Sequence, residues 1–131
     1  DGGRTWSEFA RSVLPEPAFG VNGSLARTVD PASGSATVLY ANVPEWTAPF
    51  GLVPPVCHDL SLYVSTDETR TWRFGKVLHR GPGAYSSMAA DGTWVGVLYE
   101  AVVQGVNDLR TVGDPPDGIR FASFDVSAVR R

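Results

Sequence analysis

The sequence has 131 residues, 43% of them hydrophobic and 19% charged, with a formal net charge of −3. That composition can build a packed core, and it excludes both a disordered chain and a basic nucleic-acid binder. No apolar run approaches the roughly 18 residues of a membrane span. Cys57, the single cysteine, excludes an internal disulfide and cannot make a thiolate zinc site alone.

The first residues, Asp1-Gly2-Gly3-Arg4-Thr5-Trp6, have the chemistry of a tight turn. Asp oxygens accept from turn N–H groups, Gly supplies positive φ, and Trp is expected to anchor the turn into the core. The sequence opens inside this turn, without the basic-then-apolar pattern of a secretory leader, and its one Met is Met88. It is therefore expected to be a piece of a longer protein. Strands are predicted at Ser24–Val29 and Ala36–Val43, joined by Asp30-Pro31-Ala32-Ser33-Gly34. A long connection, Pro44–Asp59, leads to a third strand at Leu60–Ser65. Ser65-Thr66-Asp67-Glu68-Thr69-Arg70-Thr71-Trp72 then repeats the opening order of Asp, Arg, Thr and Trp, with Trp72 66 residues after Trp6. A fourth strand follows at Trp72–Leu78. Gly81-Pro82-Gly83 is no phosphate loop, because neither Lys-Ser/Thr nor a helix follows. The strand series restarts with Tyr85–Ala89, Trp94–Ala101 and Ile119–Val126, with Asp91-Gly92 as a turn and Val102–Gly118 as a second long connection.

No segment carries a 3.6-residue period, so helix content should be very low. Four short antiparallel strands followed by a restart is the pattern of β-propeller blades, and the fold class is all-β. In such blades the first and third turns share one face, and the second connections lie on the other. Both long connections fall on that other face, where a site is expected, because structureless loops beyond about 12–15 residues are usually functional or disordered.

The motif S-x-D-x-G-x-T-W is similar to the Asp box of bacterial-type sialidases, also called the neuraminidase repeat. Gly81-Pro82-Gly83-Ala84-Tyr85-Ser86-Ser87-Met88 followed by Gly96-Val97-Leu98-Tyr99-Glu100 resembles the last blade of those enzymes. Asn22-Gly23-Ser24-Leu25, Leu39-Tyr40-Ala41-Asn42 and Ile119-Arg120-Phe121-Ala122-Ser123-Phe124 fit the same pattern, so the resemblance covers essentially the whole sequence. It implies a six-bladed β-propeller of which this chain supplies roughly the last two blades. Residues 1–20 would end one blade, 21–80 would form a complete one, and 81–131 would form the last, lacking its fourth strand. The Asp boxes, with Asp1, Gly3 and Trp6 in one and Ser65, Asp67 and Trp72 in the other, would be structural. Thr69 stands where the motif has Gly.

The implied activity is exo-α-sialidase: hydrolysis of terminal sialic acids from glycoconjugates, with retention. Sialidases use a Tyr nucleophile where most retaining glycosidases use a carboxylate. The sugar's own carboxylate repels an anionic attacker, and a phenol, with its ordinary pKa near 10, needs a base partner. By resemblance Tyr85 is the nucleophile. Glu100 orients one of three arginines that hold the substrate carboxylate, and is not itself the base. The third arginine is expected where Cys57 stands, and neither Cys57 nor His58 can supply a permanently charged fork. Arg70 and Arg73 belong to the opposite-face turn. Asp91 and Asp125 read as turn or edge residues, and the acid/base Asp, two arginines and the activating Glu are expected upstream. Trp46, Phe50 and Leu52 either line a glycan subsite or pack against a neighbouring blade. No cofactor or metal is implied; the expected partners are sialylated glycans, not nucleic acid, and the expected location is secreted or cell-surface. An inactive sialidase-like propeller that binds glycans is the alternative that Cys57 favours. An unrelated Asp-box scaffold is the third reading.

Overall fold

The computed structural model describes residues 1–9, 12–15, 21–47, 56–101 and 118–130. Its strands are β1 (Ser24–Val29), β2 (Ala36–Asn42), β3 (Glu45–Thr47), β4 (Val56–Ser65), β5 (Arg73–Asp91), β6 (Trp94–Ala101) and β7 (Gly118–Asp125). A 3-10 turn, Val126–Val129, follows β7. The described chain is all-β, with β1-β2-β4-β5-β6-β7 as neighbours in order and β3 paired to the start of β4. Every pairing is antiparallel. The arrangement is compatible with part of a β-propeller.

Period-two alternation explains the layering. Along β6, Val95, Val97, Tyr99 and Ala101 are buried while Trp94 and Leu98 are exposed. β5 changes partner along its length. It pairs with β4 up to Pro82 and with β6 from Gly83 onward. This divides the sheet into a first half (β1, β2, β4 and the start of β5) and a second half (the rest of β5, β6 and β7). Leu39, Ala41, Leu60, Leu62 and Val64 of the first half share one core with Val95, Val97 and Tyr99 of the second. Each fully buried aliphatic side chain contributes about 1.5–3 kcal/mol relative to exposure. On its other face the first half carries an aromatic row. Tyr40 lies 6.3 Å from Tyr63 and 6.4 Å from Trp72, and Tyr63 lies edge-on to Phe74 at 6.0 Å.

The two copies of the repeated motif fold alike. Asp1 accepts from the N–H groups of Gly3, Arg4 and Thr5, and from the Thr5 hydroxyl. Asp67 accepts from the Thr71 N–H at 2.9 Å, the Thr71 hydroxyl at 2.6 Å and the Ser65 hydroxyl at 2.8 Å. The two residues after each Asp are left-handed: Gly2 and Gly3 at φ 69° and 82°, Glu68 and Thr69 at φ 56° and 70°. The bonds to Asp67 lower its pKa to about 2, the Thr71 hydroxyl contributing most.

Three expectations are corrected. Trp6 does not anchor its turn: it is 88% exposed, whereas Trp72 is half-buried against Tyr40. The connection after β2 is not structureless. Glu45–Thr47 pairs with Val56–His58 and extends β4 into a hairpin. Strand pairing runs unbroken through Gly81-Pro82-Gly83, giving one run of strand 19 residues long, although the chain doubles back there, with Pro82 beside His58 and Gly92 back beside Thr28. Pro82 sits where the ladder passes from one partner to the other, a place where its missing N–H is tolerated. Residues 102–117, which hold most of the second long connection, and Phe50 lie outside the described residues.

Candidate functional site

The repeated turn at Ser65–Trp72, the β1–β2 turn and the β5–β6 turn all lie at one end of the sheet. The starts of β1 and β4 and the ends of β2 and β6 lie at the other. At that second end β5 and β6 fall out of step. Gly83 faces Ala101 and Ser86 faces Tyr99, so Ala84 and Tyr85 together stand opposite the single residue Glu100. This β-bulge changes the facing of β5. Beyond it Ser86, Met88 and Ala90 turn toward the first half, while Tyr85, Ser87 and Ala89 are exposed. Bulges re-aim side chains in this way, often beside active sites. Tyr85 is 49% exposed and lies beside Glu100 across the ladder. Glu100 in turn faces Ile119 of β7.

The neighbouring backbone is pinned by short-chain polar groups. Asp59 adopts φ 58°, a conformation that favours glycine. Its carboxylate accepts from the Gly81 N–H at 2.8 Å, and its carbonyl accepts from the Ser61 hydroxyl. The hydroxyls of Ser24 and Ser86 meet at 2.8 Å, and Ser86 N–H donates to the Asn22 carbonyl across the two halves. His79 packs its ring 5.7 Å from that of Tyr99. Gly83 lets the backbones approach closely, since a Cβ there would stand 3.2 Å from the Glu100 carbonyl. The sequence assigns no role to Asp59, His79, Ser24 or Ser86, although Ser24 and Ser86 stand in the runs that carry the resemblance.

Cys57 lies in the hairpin, with its backbone opposite Trp46. It stands before the point at which β4 joins β2, where Asn42 faces Ser61. The structure therefore brings Tyr85 and Glu100 together and places Trp46 with Cys57, on a different part of the same end. Arg73 starts β5 at the opposite end and donates to the Val129 carbonyl. Asp125 caps the 3-10 turn, and bonds from Ser127 and the Thr93 hydroxyl hold its carboxyl below the usual range. Asp91 closes the β5–β6 hairpin opposite Trp94. Among the described residues no group of three His, Cys, Asp or Glu could hold a metal ion. No helix among them is long and apolar enough to cross a membrane.

The exposed face of the second half is apolar below Tyr85. Trp94, Leu98 and Phe121 border a shallow groove of about 400 Å³ together with Ser87, Ala89 and Gly96. No family model, curated protein or solved structure matches the chain.

Proposed function

We propose that the chain is part of an exo-α-sialidase, a six-bladed propeller to which it contributes roughly the last two blades. Residues 21–80 form one blade in this reading, and 81–131 form the next. Tyr85, giving its proton to the upstream Glu, attacks the anomeric carbon of a terminal sialic acid. The glycosidic C–O bond breaks as the aglycone oxygen takes a proton from the upstream Asp, and water then cleaves the tyrosyl glycoside with net retention. The phenol carries less charge toward the sugar's carboxylate than an Asp or Glu would, which is the reason for using it. Glu100 orients an arginine that holds that carboxylate. The Asp-box turns hold the opposite end of the blades and take no part in chemistry. The apolar groove beneath Tyr85 is where the ring's next blade packs.

One observation carries the reading. The sequence run from Ala84-Tyr85-Ser86-Ser87 to Leu98-Tyr99-Glu100 lies on adjacent strands, and a bulge sets Tyr85 beside Glu100 at the end opposite the repeated turns. A second reading, a glycan-binding propeller without activity, draws on Cys57, which replaces a carboxylate-holding arginine with a thiol.

A fluorogenic sialoside assay on the longest protein that contains this sequence separates them. The enzyme reading expects turnover that Tyr85→Phe abolishes, with sialic acid released as the α-anomer first. Turnover unchanged by Tyr85→Phe removes the nucleophile assignment. An inert wild type that still binds sialosides supports the second reading, and activity gained on Cys57→Arg locates its cause. The 131 residues alone are expected to release no sialic acid, since the acid/base Asp and two arginines are assigned to other blades.

A further inference from the structure

Among the described residues the two halves share a strand only in β5, and they also meet where the Thr28 hydroxyl donates to the Gly92 carbonyl. A further connection returns from the far strand. After β7 the chain turns through Val126–Val129, with Asp125 accepting from Ser127 N–H at 2.8 Å and from the Thr93 hydroxyl at 2.6 Å. Val126 N–H donates to the Thr93 carbonyl at 2.8 Å, which fixes the turn to the β5–β6 hairpin. Val126 and Val129 are both buried in the shared core. The next contacts are all with the first half. Arg73 donates to the Val129 carbonyl. Arg130 donates to the Thr37 hydroxyl at 2.7 Å and to the Ser35 carbonyl at 2.8 Å, and lies 3.6 Å from the Asp30 carboxylate. A charged guanidinium bound by a hydroxyl, a carbonyl and a carboxylate makes a stronger tie than neutral pairs would.

We propose that residues 125–130 are a strap that sets the angle between the two halves. Through that angle the strap fixes the rim at the other end, where Ser86 meets Ser24 and Asn22. β5 doubles back at Gly81–Gly83, where it changes partner, and the strap holds the angle of that bend. With the strap released, the halves hinge there, each keeping its own ladder. The small polar contacts at the Tyr85 end, chiefly Ser24–Ser86 and Ser86–Asn22, then lose their alignment. This inference does not depend on the sialidase reading, because it concerns the relation of two sheets and not a substrate.

Residue-resolved native-state amide exchange on the 131-residue chain tests it. In Arg130→Ala the amide of Ser86, bonded across the halves to Asn22, should exchange at least about tenfold faster, while Leu39 in β2 and Val97 in β6 keep their protection. Arg73→Ala, which removes the other anchor, should give the same pattern. Arg27→Ala should not, since Arg27 pairs with Glu68 within the first half. An unchanged Ser86 amide would show that the strap acts only locally and would overturn the proposal. So would equal loss of protection in β2 and β6, because the segment would then be part of one cooperative core and not a tie between two intact sheets. Arg130→Lys, a milder change, should shift Ser86 in the same direction by less.

Discussion

Replacing Thr69 by Gly should stabilise the protein even though it removes atoms. Thr69 sits at φ 70°, and a β-branched residue there brings Cβ against the following carbonyl oxygen at a cost of about 1–2 kcal/mol. Its side chain is exposed, so little packing is lost. Its N–H bond to the Ser65 hydroxyl, at 2.9 Å, belongs to the backbone and is retained. Against the relief of strain stands the greater freedom of glycine in the unfolded chain, about 0.4–1 kcal/mol. The balance is a gain of about 0.5–1 kcal/mol, which raises Tm by a few degrees at this chain length. The equivalent turn already carries Gly3, at φ 82°, and so supplies the template. Urea unfolding should show a higher midpoint with an unchanged slope. A midpoint at or below that of the wild type would mean that the turn does not hold Thr69 in the left-handed region, and the strain argument would fail.

Two further outcomes follow from the same structure. Asp67 has a folded pKa of about 2 against about 3.9 in an unfolded chain. Its contribution is therefore complete above about pH 5 and is lost as the pH falls toward 2; Asp67→Asn should lower the neutral-pH midpoint and flatten its decline across that window, and parallel wild-type and variant curves would refute this. Leu62→Ala empties a fully buried position and should cost about 2–5 kcal/mol, read as a fall in urea midpoint; a loss under about 1 kcal/mol would mean that the two halves close over the gap.

The strands were legible where alternation is undisturbed. β1 and β6 match the sequence expectation residue for residue, and β2 ends one residue early. The misses have physical causes. Gly81-Pro82-Gly83 has the composition of a turn and does reverse the chain, but its pairing with His58 and Ala101 carries the ladder through it. The Glu45–Thr47 strand is three residues long, too short for any period, and it exists by pairing with the start of β4. Val126–Val129 is one turn held by its own buried valines, by Arg73 and by the bond of Arg130 to Thr37, and the partners Arg73 and Thr37 are far away in sequence. Trp6 and Trp72 share a motif yet differ in burial, because the motif specifies the turn and only the surroundings supply an aromatic partner such as Tyr40. At the site, the nearness of Tyr85 to Glu100 rests on one extra residue in a ladder. Sequence spacing alone does not specify such a slip.

That extra residue has a consequence for how the sequence can vary. Strand facing has a period of two, so an inserted or deleted residue normally turns everything beyond it over. The Ala84–Tyr85 pair absorbs such an extra residue, so that Gly83 and Ser86, three positions apart, share a face and Met88 and Ala90 pack against the core. A chain that lost either residue of the pair would regain a regular ladder, with Ser86 still opposite Tyr99 and Met88 still opposite Val97. A residue lost between Ser86 and Asp91 has no such slack and would turn the rest of the strand over. The strand can therefore absorb a change of length at positions 84 and 85 that it could not absorb a few residues later.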